Sequence, residues 1–287
     1  MSIIESVFLE RYSNLNEEQK EAVNTIYGPV MVIAGPGTGK TEVLSMRIAN
    51  LLRSDAQVQP HEILCLTYTD EATNAMRRRL IQVIGTAAHK VNICTFHAFC
   101  NNVIQNNSEY FSQRSLQPIT DLERTELLYE MLEHLPQGHL LRKLSGNIYF
   151  DAGRLNRLFD FMKRENYRPA DIADAVSTYL ADLPNREDYI YKKSGKDYKK
   201  GDLKQAKLDE EQKRMELTRE AAALFDDYTQ RMKNMGRYDF SDMIIWVLDA
   251  FKEHPALLQR YQEQNQFILV DEFQDTNGSQ NELLNLL

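Results

Sequence analysis

The stretch "VMVIAGPGTGKTEVLSMRIANLL", Val30 to Leu52, limits most sharply what this chain can fold into. Val30 to Ile33 is a short apolar run, which reads as a buried parallel strand. "AGPGTGKT" follows, Ala34 to Thr41, and then Val43, Leu44, Ile48, Leu51 and Leu52 recur at helical spacing. Strand, glycine loop and helix in that order form the setting in which such a loop cradles phosphate. Gly35, Gly37 and Gly39 let the backbone curl so that its N–H groups face one point, and the helix adds its positive N-terminal end. Pro36 and Thr38 complete the loop. Lys40 reaches β- and γ-phosphates, and the Thr41 hydroxyl suits Mg²⁺. Ala34 stands where glycine is commoner. The alternative is a tight glycine turn with no ligand.

A phosphate loop needs a carboxylate to position the metal. The end of the sequence, "FILVDEFQDTNGSQNELLNLL", supplies it. Asp271 ends an apolar run from Phe267 to Val270, and ligands of open α/β sheets sit at such strand ends. Glu272 is then placed to orient the attacking water or take its proton. The alternative is a strand that simply ends in two solvated acids. Two further apolar strands are expected, in "EILCLTYT" (Glu62 to Thr69), followed by a helix through Met76 and Leu80, and in "VNICTFHAFC" (Val91 to Cys100). The remainder between the loop and the acids reads as a wholly helical insertion from about Ser108 to Gly236. Thr120 with Glu123 three residues on is a helix cap. Leu217, Ala221, Leu224, Phe225, Tyr228, Met232 and Met235 share one helical face, which Gly236 ends.

Composition narrows the class further. The 287 residues are 43% apolar and 26% charged, ordinary for a globular protein. No apolar run nears the roughly 18 residues of a membrane helix, and the N-terminus lacks the form of a signal peptide, so no membrane partner and a cytoplasmic location are expected. Cys65, Cys94 and Cys100 have no metal spacing and read as reduced thiols. The net charge of −8 disfavours a protein coated for nucleic acid, yet a local basic groove fits under an acidic total.

These pieces in this order resemble the UvrD/Rep-type superfamily 1 DNA helicases over the whole chain. "LNEEQKEAV" resembles the family's Q motif, "AGPGTGKT" motif I, "LTYTDEATNAMRRRL" motif Ia and "CTFHAFC" motif Ib. "YDFSDMI", Tyr238 to Ile244, resembles a short motif ahead of motif II, and "VDEFQD" is motif II in nearly its family form. The resemblance implies an α/β fold, a RecA-like P-loop core over 1–108 and 237–287 with a mainly helical insertion over 109–236. It implies ATP and Mg²⁺, with Gln19 reading adenine and Gln274 sensing the γ-phosphate or coupling it to DNA. Gln19 has a second reading: with Asn16 it forms a capping-box pattern. For DNA, the resemblance puts Tyr68, Thr69, Thr95, Phe96 and His97 on one face. The alternative makes Phe96 core and His97 a satisfied histidine.

Three positions depart from the family. Asp70 and Glu71 stand where many relatives carry Asn-Lys, and Glu42 stands where many carry an adenine-stacking Arg. Arg77, Arg78 and Arg79 read as an outer helix face; the alternative is that one of them touches phosphate. "YIYKKSGKDYKKGD", Tyr189 to Asp202, reads either as a contact for duplex DNA or as a flexible solvated loop.

The function implied is the N-terminal, ATP-binding part of an ATP-dependent 3′–5′ DNA helicase acting on single-stranded or duplex-junction DNA. The alternatives are the helicase half of a helicase–nuclease, or a nucleotide-dependent DNA- or protein-binding module that does not translocate. The family continues into motif III and a second, C-terminal RecA-like domain, so this chain is expected to be incomplete and slow or inactive alone. The motif III strand belongs between Val30–Ile33 and Phe267–Val270. Without it, the sheet is expected to be native-like beside the P-loop and poorly held around Asp271 to Leu287.

Overall fold

The computed structural model describes residues 3–35, 37–54, 58–111, 116–142 and 149–287. In chain order come α1 (Ile3–Ser13), α2 (Glu17–Asn24), α3 (Lys40–Ser54), β1 (Ile63–Thr67), α4 (Asp70–Ile84), β2 (Asn92–Thr95) and α5 (Phe96–Asn106). They are followed by β3 (Gln117–Pro118), α6 (Asp121–Glu133), α7 (Tyr149–Glu165), α8 (Pro169–Asp182), α9 (Gln205–Ala223), α10 (Phe225–Asn234) and β4 (Arg237–Tyr238). The last are α11 (Phe240–Glu253), α12 (Pro255–Gln264), β5 (Phe267–Val270) and α13 (Gly278–Leu286). The chain divides into one unit of Met1–Ser112 with Trp246–Leu287, and a second of Gln113–Ile245.

The first unit is built on a parallel sheet in the order β2-β1-β5. β1 is central and every one of its residues is buried, which is why it reads as a continuous apolar run and not as an alternation. Its register pairs Thr67 with Thr95 on one side and Leu66 with Val270 on the other. Ile48, Leu51, Met76 and Leu80 cover it from α3 and α4. Thr69 caps α4 by accepting from Ala72 N at 3.1 Å, and Asp70 and Glu71 put negative charge in the first turn, where the helix dipole favours it. The second apolar strand is shorter than "VNICTFHAFC" suggests: β2 stops at Thr95, whose hydroxyl caps α5.

The buried strand expected at Val30–Ile33 does not form. These residues join no sheet, and Met31 and Ile33 are 76% and 90% exposed. β5 has β1 as its ladder neighbour, and the Asp271 amide extends that ladder by donating to Leu66 O at 2.9 Å. Val30–Ile33 has no ladder neighbour among the described residues, so burying its backbone would strand unpaired polar groups. The expected asymmetry is therefore reversed. The strand carrying Asp271 is held, α13 is closed by an Asn277–Gln280 capping box, and the approach to the glycine loop is the unpaired side.

In the second unit Leu127, Leu128, Met131, Phe159, Met162, Phe225, Tyr228 and Met232 make one core. The capping box at Thr120 forms, with Thr120 N donating to Glu123 Oε2 at 2.9 Å. Glu123 also accepts two bonds from Arg237, at 2.8 and 2.7 Å. The Arg237 guanidinium, followed by the Thr120 amide and hydroxyl, pulls the Glu123 carboxyl down to about 2. The insertion is not wholly helical: β3 pairs with β4, and residues 189–204 form a hairpin. The long apolar face is two helices, broken at Leu224, and Met235 at its end is exposed.

Lys163 on α7 is 1% exposed and meets Asp239 and Asp242 at 2.7 Å each. Burial works against its charge, but the two carboxylates outweigh it and its pKa is raised.

Candidate functional site

Gly37 and Gly39 adopt φ of +76° and +83°, a region closed to most side chains, and so turn the chain into α3. Thr38 Oγ1 donates to Gly35 O at 2.8 Å and pins the loop. Gln19 Nε2 donates to Thr38 O at 3.0 Å from the other side. Pro36 lies outside the described residues. The first intrahelical bond of α3 runs from Val43 N to Gly39 O. Amides ahead of it have no intrahelical acceptor and make the helix start a site for an anion. Thr41, the second residue of α3, is half-buried. Gln19 fulfils its capping role with Asn16, through bonds of 2.8 and 3.0 Å, and spends its amide nitrogen on the loop.

Across from the loop, Lys40 Nζ lies 3.2 Å from Glu272 Oε2. Glu272 has φ +51° and ψ +47°, a left-handed turn directly after β5 that frees its carboxylate from the strand line. Gln274 donates to the same oxygen. That bond and then Lys40 lower the Glu272 pKa, so it is ionised at neutral pH. Asp271 is buried, and its pKa is raised by burial and by the Glu272 charge, with Lys40 opposing. Among the described residues no ion pair neutralises it. A buried carboxylate short of positive charge suits a divalent cation.

The three parallel strands end together. Tyr68 and Thr69 follow β1, Thr95 ends β2 and Phe96 and His97 follow it, beside one another through the Thr67–Thr95 register. Tyr68 is 55% exposed. Thr69 and Thr95 use their hydroxyls as helix caps. Phe96, placed on the DNA face by the resemblance and in the core by the alternative, is 2% exposed and belongs to the core, because α5 begins at that residue and turns the ring inward. Arg77 is likewise not on an outer face: its guanidinium donates to the carbonyls of Ala88 at 3.2 Å and Ile93 at 3.1 Å, tying α4 to the approach and edge of β2. Glu42 is paired with Arg11 at 3.2 Å and Arg79 at 3.3 Å. Nothing local in the sequence links Arg11 to Glu42; only the packing of α1 against α3 brings them together. Cys65 and Cys100 are buried and Cys94 half-buried, and burial raises all three thiols, Cys65 to about 12 and Cys94 to about 11.

A glycine loop opening a helix beside a parallel strand that ends in two acids defines the P-loop nucleotide-binding class. Within that class the chain belongs to the UvrD/REP helicase N-terminal domain family, whose profile matches residues 15–287. It is 28% identical over 274 residues to the ATP-dependent DNA helicase PcrA of Staphylococcus epidermidis, covering 96% of this chain and 31% of that protein. It is 26% identical over 276 residues to the ATP-dependent DNA helicase PcrA of Staphylococcus aureus, covering 96% and 32%. The chain thus spans about a third of the length of the curated relatives it matches. Among the described residues no helix is long and apolar enough to cross a membrane.

Proposed function

We propose that this chain binds ATP with Mg²⁺ and is the ATP-binding part of a 3′–5′ DNA translocase acting on single-stranded DNA. The observation that carries the reading is Lys40 facing Glu272 across a pinned glycine loop, with Asp271 buried beside them. Lys40 exchanges its bond to Glu272 for phosphate oxygens, and the loop amides hold the rest of the phosphate chain. Thr41 and Asp271 are the residues that would hold Mg²⁺, which when bound neutralises phosphate charge. Released from Lys40, the ionised Glu272 orients the water for in-line attack, and Gln274, already bonded to Glu272, registers the change. Tyr68, Thr69, Thr95 and His97 form the surface offered to the strand, with the Tyr68 ring available for sequence-tolerant stacking. Phe96 supports that surface from beneath. By the family resemblance, a second RecA-like domain closes on the site with the arginines that reach the γ-phosphate; polarity comes from the same source.

Titration of a fluorescent ATP analogue against wild type and Lys40→Ala tests the reading. Hydrogen bonds to charged groups are worth about 1.5–3 kcal/mol, so the variant should bind roughly tenfold more weakly or worse. Equal affinities would remove the nucleotide from this loop.

A further inference from the structure

We propose that the lysine-rich hairpin of the second unit, Tyr189 to Lys204, is a binding surface for the phosphate backbone of duplex DNA. Its arms are tied by Tyr191 N to Asp202 O at 2.9 Å, Gly201 N to Tyr191 O at 3.0 Å and Lys204 N to Tyr189 O at 2.8 Å. Its tip is closed by Gly195 N to Tyr198 O at 2.9 Å and Lys200 N to Ser194 Oγ at 3.0 Å. Tyr191 and Tyr198 stack with centroids 3.7 Å apart and planes at 12°. A Cβ at Gly195 would come within 2.5 Å of the Tyr198 ring, so a larger residue there would push that ring out of its present stack. The hairpin is thus hydrogen-bonded along its arms and at its tip, with two rings stacked between them.

Six lysines face two aspartates between Tyr189 and Lys204, a local net charge of +4 in a chain of −8. Lys192 is paired with Glu187 at 2.9 Å, and Lys204 donates to Asp188 O at 3.0 Å. Asp202 is spent on the Lys199 amide at 2.6 Å. Lys193, Lys196, Lys199 and Lys200 remain, all exposed, and among the described residues their ammonium groups meet no acid. Elsewhere in this unit basic side chains are commonly paired: Arg186, Arg214, Arg219, Arg231 and Arg237 each meet a carboxylate.

Four ammonium groups that meet no acid, carried on a hydrogen-bonded hairpin, fit a dense row of phosphates, which duplex DNA provides at one charge per about 1.7 Å of axis. Tyr191 and Tyr198 are stacked on each other, with Gly195 against the Tyr198 ring and the Lys204 ammonium 5.7 Å from the Tyr191 centroid, so they do not offer the open ring faces that hold unpaired bases. The tip carries no aliphatic anchor for a lipid surface. Contact is then to backbone and not to base edges, which makes it independent of sequence. The assignment takes from the reading above only that the protein meets DNA; it uses no nucleotide-site residue.

The test is anisotropy of a labelled duplex, and of a single strand of equal length, over a salt series, with the 287-residue chain. The fourfold variant Lys193, Lys196, Lys199 and Lys200→Gln should bind duplex more weakly, with a log–log salt slope shallower by roughly 3.6, about 0.9 for each phosphate no longer neutralised. Its single-strand binding and its affinity for the ATP analogue should be unchanged. Gly195→Ala, with all charges intact, should also weaken duplex binding. An unaltered duplex slope in the fourfold variant would overturn the proposal. So would equal losses for duplex and single strand, or wild type that binds phosphatidylserine vesicles but not duplex. Failure of the Lys40→Ala test leaves each of these outcomes readable.

Discussion

Burial raises the pKa of Asp271, and the Glu272 carboxylate beside it raises it further. A carboxyl group raised in the folded state favours folding when protonated and opposes it when ionised. Its ionised form therefore destabilises the fold at neutral pH, and that penalty vanishes as the pH falls toward the unfolded value of about 3.9. Asp271→Asn retains an oxygen for the Glu272 amide, now bonded at 3.1 Å, and removes the charge. The variant should melt higher at neutral pH, each kcal/mol adding roughly 2–4 °C in a chain of about this size. The gain should shrink in acid, while Mg²⁺-dependent nucleotide binding is lost. A lower melting temperature at neutral pH would mean that this carboxylate is stabilising where it stands. Asp271 and Lys40 were legible because apolar-run-to-acid and glycine-loop-to-lysine are local patterns. The burial of Phe96 was only one of two readings, since nothing in "CTFHAFC" says where β2 yields to α5.

At the scale of elements, α4 is where local pattern and tertiary packing differ most usefully. Its cap, its buried face through Met76 and Leu80 and its end at Gly85 follow from local signals. Asp70 and Glu71 are out of place beside a phosphate backbone, yet as first-turn residues they each stabilise the helix by roughly 0.3–1 kcal/mol. The same acids repel a strand lying over Tyr68. Asp70→Asn with Glu71→Lys should therefore lower the melting temperature slightly, tighten single-strand binding, and steepen its log–log salt slope by about 0.7 for each additional phosphate neutralised. If affinity in the double variant is unchanged, α4 does not point its first turn at DNA. Other features escaped because they depend on distant partners. Lys163 is buried only because Asp239 and Asp242 meet it, and removing one side of such a cluster typically costs about 3–5 kcal/mol. Arg77 leaves the helix surface only because the carbonyls of Ala88 and Ile93 are within its reach.

For the molecule as a whole, the sheet order β2-β1-β5 is the fact from which the rest follows. It brings Tyr68, Thr95 and Asp271 to one end of three strands, and it leaves Val30–Ile33 without a ladder. An apolar run announces that a segment can be buried; it does not say whether a neighbour is there to pair with it. That is why the strand most expected from sequence is the one that does not form. A groove lined by Ile26, Gly28, Arg47, Leu51 and Phe267 to Leu269 lies beside β5. The central claim is that this arrangement holds nucleotide phosphates on the loop from Gly35 to Thr41, opposite a fixed β5. Hydrogen exchange read segment by segment, with and without Mg·ATP, tests it most directly. Amides of Phe267 to Val270 should exchange slowly in both conditions, those of Val30 to Ile33 quickly without nucleotide, and those of Gly37 to Thr41 should slow markedly when Mg·ATP is added. Loop amides that exchange at the same rate at saturating Mg·ATP, beside a β5 no better protected than Val30 to Ile33, would contradict it.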